Sequence, residues 1–160
     1  MKLLPDTLTI IENFVRTRVK EANAKGVVLG LSGGIDSATT LALAVSSLGS
    51  KRVKGLIMPF KNSESISLAL NHAESLNVKT EKYDISSIVG AYKGITSSYS
   101  STASEGNLHS RIRMSLLYGE AFSSNSLVIG TSNKSELLVG YYTKWGDGAS
   151  DFLPLGDLYK

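Results

Sequence analysis

The stretch Val27-Val28-Leu29-Gly30-Leu31-Ser32-Gly33-Gly34-Ile35-Asp36-Ser37 decides the fold of this chain. It opens on two β-branched valines in a short apolar run, the pattern of a strand buried on both faces of a parallel sheet. An Ala/Leu-rich helix follows over residues 38–48 and ends at Gly49. Between strand and helix, two glycines let backbone N–H groups approach an anion, and the helix start adds its positive dipole end. Ser32 and Ser37 offer hydroxyl donors. Asp36 repels a bare phosphate, so it makes sense with a Mg²⁺ ion between carboxylate and phosphates. A Walker A loop needs a Lys before its Ser/Thr, and here Asp36 precedes Ser37. A dinucleotide fingerprint needs G-x-G-x-x-G, which Gly30-Leu31-Ser32-Gly33-Gly34 does not give. A bare Gly-Gly pair reads as an ordinary turn with a capping acid. The full Ser-Gly-Gly-x-Asp-Ser string between strand and helix reads as a phosphate site.

Outward from this stretch, strands and helices alternate. Residues 6–24 carry Leu8, Ile11, Val15 and Val19 at helical spacing, with Asp6 or Thr7 as cap. A second strand spans 53–58 and stops at Pro59, and a helix over 63–76 has Ser63 as its cap. A third, more polar strand spans 78–83, nearer a sheet edge, and a short helix follows over 84–89. The Ser/Thr-rich residues 97–104 read as a mobile surface loop. A helix over 107–123, a fourth strand over 127–130, a helix over 132–139 and a Gly/Asp loop over 140–148 complete the pattern. Such alternation gives βαβ units in one α/β domain spanning 1–160.

Composition narrows the classes. The 160 residues are 42% hydrophobic, enough for one core, and too rich in apolar residues for a disordered chain. No apolar run nears the ~20 residues of a membrane span. Cysteine is absent, which excludes disulfides, thiolate metal sites and thiol nucleophiles and fits a reducing cytoplasm. The net charge of +3 comes from scattered cations, so neither nucleic acid nor a membrane surface is an expected partner.

The Ser32 to Ser37 loop resembles that of the ATP-pyrophosphatase superfamily, whose members cleave ATP between the α and β phosphates. Three further strings select within it: Gly106-Asn107-Leu108-His109-Ser110-Arg111-Ile112-Arg113-Met114, Gly130-Thr131-Ser132-Asn133-Lys134-Ser135-Glu136, and the run from Gly140-Tyr141-Tyr142-Thr143-Lys144 through Asp147 and Asp151 to Lys160. In order and spacing they resemble the ammonia-dependent NAD synthetases. The resemblance implies a Rossmann-like parallel sheet flanked by helices, adenine nucleotide alpha-hydrolase-like.

By the same resemblance, Gly30, Leu31, Ser32, Gly33, Gly34, Ile35, Asp36, Ser37, Thr131 and Lys160 bind ATP, the co-substrate. Asp36 and Glu136 hold Mg²⁺, and with Lys160 they form the catalytic set. Arg111, Lys144, Asp151, Asn107 and Asp147 bind deamido-NAD. The implied reaction amidates deamido-NAD with free ammonia through an adenylate, in a cytoplasmic homodimer. Leu108, Ile112 and Leu116 suit a dimer face or a core equally. Family members continue past the lysine matching Lys160, so the expected chain lacks the family's C-terminal part and turns over poorly. The alternatives are another adenylating enzyme of the superfamily or an inactive nucleotide-binding module.

Bland readings stand beside some of these. Glu136 alone is a first-turn helix acid favoured by the dipole, and Arg113 alone is structural. His72 reads as solvated, His109 is not taken as a base, and Tyr141 and Trp145 read as packing for their loop. Asn62 to Glu64 depart from a more acidic family pattern on the adenine side.

Overall fold

The computed structural model describes residues 4–60 and 65–160. The Ser63 cap and the departure at Asn62 to Glu64 lie outside the described residues. The elements are α1 (Thr7–Glu21), β1 (Gly26–Gly30), α2 (Ile35–Leu48), β2 (Val53–Ile57), α3 (Ser65–Ser75), β3 (Lys79–Lys82), α4 (Ser86–Ile95), α5 (Thr102–Ser123), β4 (Ser126–Val128) and α6 (Lys134–Val139). The four strands form one parallel sheet in the order β3-β2-β1-β4.

The alternating faces of β1 feed two cores, as a period of two requires. Val27 and Leu29 pack with Val15, Val19, Leu41 and Ala69 from α1, α2 and α3. Val28 packs with Leu56, Val89, Leu108 and Ile112 beneath α4 and α5. Each such fully buried aliphatic side chain contributes roughly 1.5–3 kcal/mol of transfer free energy. Leu108 and Ile112 are therefore core, and Leu116 packs partly buried against the same cluster. The polar β3 lies at the edge of the sheet, as its sequence predicts.

Five expectations need correcting. Residues 97–104 are not a loop: a single 3₁₀ turn (Ser97–Tyr99) leads straight into α5, which begins at Thr102. The Thr96 side chain accepts from Ser98 N–H, and Ser101 accepts from Ser104 N–H, so this Ser/Thr run is a series of caps. Helix α2 begins at Ile35 rather than 38, directly on the glycine turn. Helix α4 extends to Ile95, and Asp6 precedes α1 without a side-chain cap bond. His72 is partly buried with Nε2 3.1 Å from the Ala38 carbonyl, a helix-to-helix bond rather than a solvated ring.

From β1 the chain builds β2 and β3 on one side and returns to add β4 on the other. The carboxyl ends of β1 and β4 thus flank the point where strand order reverses, the usual ligand crevice of open α/β sheets. Among the described residues, no helix is long and apolar enough to cross a membrane.

Candidate active site

The Ser-Gly-Gly loop leaves β1 at this crevice and is braced from within. Ser32 Oγ accepts from Gly34 N–H at 3.2 Å, Ser37 Oγ accepts from Ser32 N–H at 3.3 Å, and Ser37 donates to the Gly34 carbonyl at 2.9 Å. The two hydroxyls lie 3.1 Å apart. Ser37 is buried, so its proton shapes the loop rather than reaching a ligand. Gly33 sits at φ +81°, where an L side chain is strained. Helix α2 starts on Gly34, which has no side chain to cap it, so its first backbone N–H groups are left without a side-chain acceptor.

Asp36, in the first turn of α2, meets two distant partners. Lys160 Nζ donates to Oδ2 at 2.8 Å, and Asn133 Nδ2 donates to Oδ1 at 3.2 Å. The bond to Asp36 holds the Lys160 ammonium above its ordinary range, so it is a cation at neutral pH. Asn133 caps α6 in a reciprocal box: its side chain accepts from Glu136 N–H at 3.0 Å, and Glu136 accepts from Asn133 N–H at 3.2 Å. The three expected catalytic residues are thus brought together, with Asn133 between the carboxylates. Asn133 was missed in the sequence, although Asn133-x-x-Glu136 is a visible capping-box signal.

Among the described residues, no three His, Cys, Asp or Glu side chains form a ready metal cage. Mg²⁺ needs none, since it commonly takes one or two carboxylates and completes its shell with phosphates and water. Asp36 and Glu136 supply hard oxygen donors joined through one residue at the mouth of the Ser-Gly-Gly loop, a donor set that fits that ion.

On the β2 side of the loop a pocket of about 260 Å³ is walled by Gly30, Met58, Pro59, Phe60, Arg113 and Leu117, apolar enough for a flat base. On the β4 side a smaller pocket of about 70 Å³ is lined by Gly130, Thr131, Gly146, Asp147 and again Arg113. Arg113 lines both pockets. Its Nε donates to the Met58 carbonyl at 2.9 Å, burial lowers its pKa, and Asp147 opposes that shift. Its position two residues after Arg111 was the only available signal. Gly130 is required by close approach, because a Cβ there would lie 2.5 Å from Ser150 Oγ and Leu153 Cδ2.

A third cluster joins α5 to the 140–148 loop. Arg111 Nε donates to the Lys144 carbonyl at 3.2 Å, Thr143 Oγ1 donates to Asn107 Oδ1 at 2.8 Å, and Asp147 accepts from Thr143 N–H at 2.9 Å. Four of the five residues expected on the deamido-NAD side therefore share one patch. Asp151 stands apart: Oδ2 accepts from Val128 N–H at 2.7 Å, holding the end of β4. Tyr141 and Trp145 do not pack this loop, being 78% and 67% exposed. His109 lies against the Phe60 ring, and burial lowers its pKa, so it is neutral.

A family model described as NAD synthase matches residues 7–160. The chain belongs to the NAD synthase family. It is 51% identical to the NH(3)-dependent NAD(+) synthetase of Archaeoglobus fulgidus over 151 residues, 92% of this chain and 61% of that protein. An NH3-dependent NAD synthetase structure from Campylobacter jejuni superposes with a TM-score of 0.92 at 43% identity, covering 97% of this chain and 68% of that one. NMN synthetase from Francisella tularensis superposes with a TM-score of 0.91 at 36% identity, covering 98% and 66%. The chain spans between 55% and 61% of the length of the first curated NAD synthase relatives.

Proposed function

We propose that this chain carries the nucleotide-activating centre of a cytoplasmic ammonia-dependent NAD synthetase, acting on deamido-NAD, ATP and ammonia. The carrying observation is the convergence of Lys160 on Asp36 at 2.8 Å, across 124 residues, beside an open helix start. A carboxylate oxygen of deamido-NAD forms a bond to the ATP α-phosphorus. The bond from that phosphorus to the bridging oxygen breaks, and pyrophosphate leaves with its electron pair. Ammonia then forms the C–N bond to the activated carbonyl, AMP leaves, and one proton is released.

The chain contributes position and charge rather than a nucleophile. Gly30 to Ser37 border the phosphates, with the N–H groups of Gly33 and of the first turn of α2 as donors because those of Leu31, Ser32 and Gly34 are bonded within the protein; Thr131 borders them too, and Lys160 stabilises charge on the departing pyrophosphate. Asp36 and Glu136 would hold Mg²⁺, which neutralises phosphate oxygens when bound. Arg111 and Lys144 supply cations for the dinucleotide phosphates, and Asn107 and Asp147 fix the loop that presents them. Asp151 contributes through Oδ1, which the Tyr118 hydroxyl also reaches at 3.4 Å, since Oδ2 is taken by Val128. Purified chain with deamido-NAD, ATP, Mg²⁺ and ammonium is expected to yield NAD, AMP and pyrophosphate. ADP in place of AMP would refute the mechanism.

A second reading, amidation of the deamidated mononucleotide, is supported by the near-equal fit to the Francisella enzyme. The same assay separates the two by substrate. A homodimer is also proposed; the exposed Tyr92 and Ile95 on α4 give it an apolar face, and sedimentation tests it.

A further inference from the structure

We infer that Asn133 is a positioning residue that sets the relative placement of the Asp36 and Glu136 carboxylates. The inference rests on the proposed Mg²⁺–ATP role of that pair. Asn133 is only 2% exposed, and a buried polar side chain is stable only when its bonds are made. Its amide cannot turn over. Oδ1 must face Glu136 N–H, because only an oxygen accepts there, and Nδ2 is then left to donate to Asp36 Oδ1. Its backbone N–H completes the bridge by donating to Glu136 Oε2. One residue therefore touches both carboxylates, Asp36 through its side chain from 97 residues away and Glu136 through its backbone N–H.

The chemistry singles out Asn among good caps. Asp, Ser and Asn cap helices about equally well. An Asp at this position accepts from Glu136 N–H but has no N–H for Asp36, and it adds a like charge. A Ser accepts the same cap bond but is too short to span to α2. The cap alone thus leaves the residue type open, and the bond to Asp36 closes it. Groups that orient the direct ligands of a metal commonly change its affinity 10–100-fold when removed.

The test separates cap from bridge. In the full chain, Asn133→Ala loses both and is expected to lower Tm and weaken Mn²⁺·ATP binding. Asn133→Ser is expected to restore most of the Tm while Mn²⁺·ATP, followed by the Mn²⁺ resonance signal, stays weakened at least ~10-fold. Asp36→Ala combined with Asn133→Ser is expected to lower Tm by less than the sum of the two single effects. Unaltered Mn²⁺·ATP affinity in Asn133→Ser overturns the inference, as does strict additivity. If the unaltered chain takes up no Mn²⁺·ATP while the two substitutions remain coupled, the proposed function falls and Asn133 is left as scaffold only.

Discussion

At the β1–α2 junction the helix starts on Gly34 and its first N–H groups face the crevice without a side-chain cap. At the β4–α6 junction the helix starts on Asn133, and a reciprocal box with Glu136 satisfies the turn from within. Both junctions sit at the carboxyl ends of neighbouring parallel strands. The first uses its two serines to hold the loop open around a left-handed glycine, giving up capping stability for anion donors. The second spends a carboxylate on its own backbone and so becomes rigid. On the proposed function the open junction receives phosphate and the closed one steadies the charges around it, which accounts for Asp36 and Glu136 both being helix-start acids with different surroundings.

The largest effect that can break this contrast lies in the open junction. Asp36→Ala is expected to cost NAD formation at least ~10²-fold in kcat/KM, the scale of losing a charge-stabilising contact. Lys160→Met is expected to follow at a similar scale while Tm barely moves, because a solvent-screened ion pair adds little to stability. A large fall in Tm for Lys160→Met would place that lysine in the scaffold and remove the distinction between the two junctions.

The closed side is expected to answer in stability first. Asp151→Ala leaves the buried Val128 N–H without its acceptor, a loss of about 1–3 kcal/mol in chemical denaturation. Gly130→Ala pushes a Cβ into Ser150 and Leu153 and is expected to cost about 1–3 kcal/mol by overpacking. Unchanged denaturation midpoints would mean that the 150–153 segment does not brace β4. Asp151 would then be free to serve substrate alone.

The same contrast explains what could be read from the sequence. The valines of β1, the polar edge strand β3 and the glycine turn are local patterns, and each formed where its pattern lies. Lys160 is reached only by family resemblance, because nothing local ties it to Asp36. The Ser/Thr run before α5 misled because caps and loops share a composition, and only the bonds of Thr96 and Ser101 tell them apart. Asn133 shows its cap in sequence, but its second bond spans to another helix. Arg113 gains its place between two pockets from the packing of α5 across the sheet, which carries it to the Met58 carbonyl just past β2 and which no local spacing reveals.

The smallest expected effect lies away from both junctions and measures how little exposed charge adds to the fold. On the sheet, Lys54 Nζ lies 2.7 Å from Glu81 and 2.6 Å from Glu120, and Tyr83 donates to Glu81 as well. The Lys54 bond, with that of Tyr83, draws the Glu81 carboxyl from 4.5 down to about 2. A folded pKa below the unfolded one stabilises the protein above about pH 4.5, and that contribution fades as pH falls toward 2. Lys54→Met removes the main cause, so its Tm is expected to start lower at neutral pH and to fall less steeply between pH 4.5 and 2. Glu81 is largely solvent-screened, so the difference in slope is expected to be modest. Parallel Tm curves for the two proteins would show that the network adds nothing. The stability differences between the open and closed junctions would then rest on hydrogen bonding and packing alone.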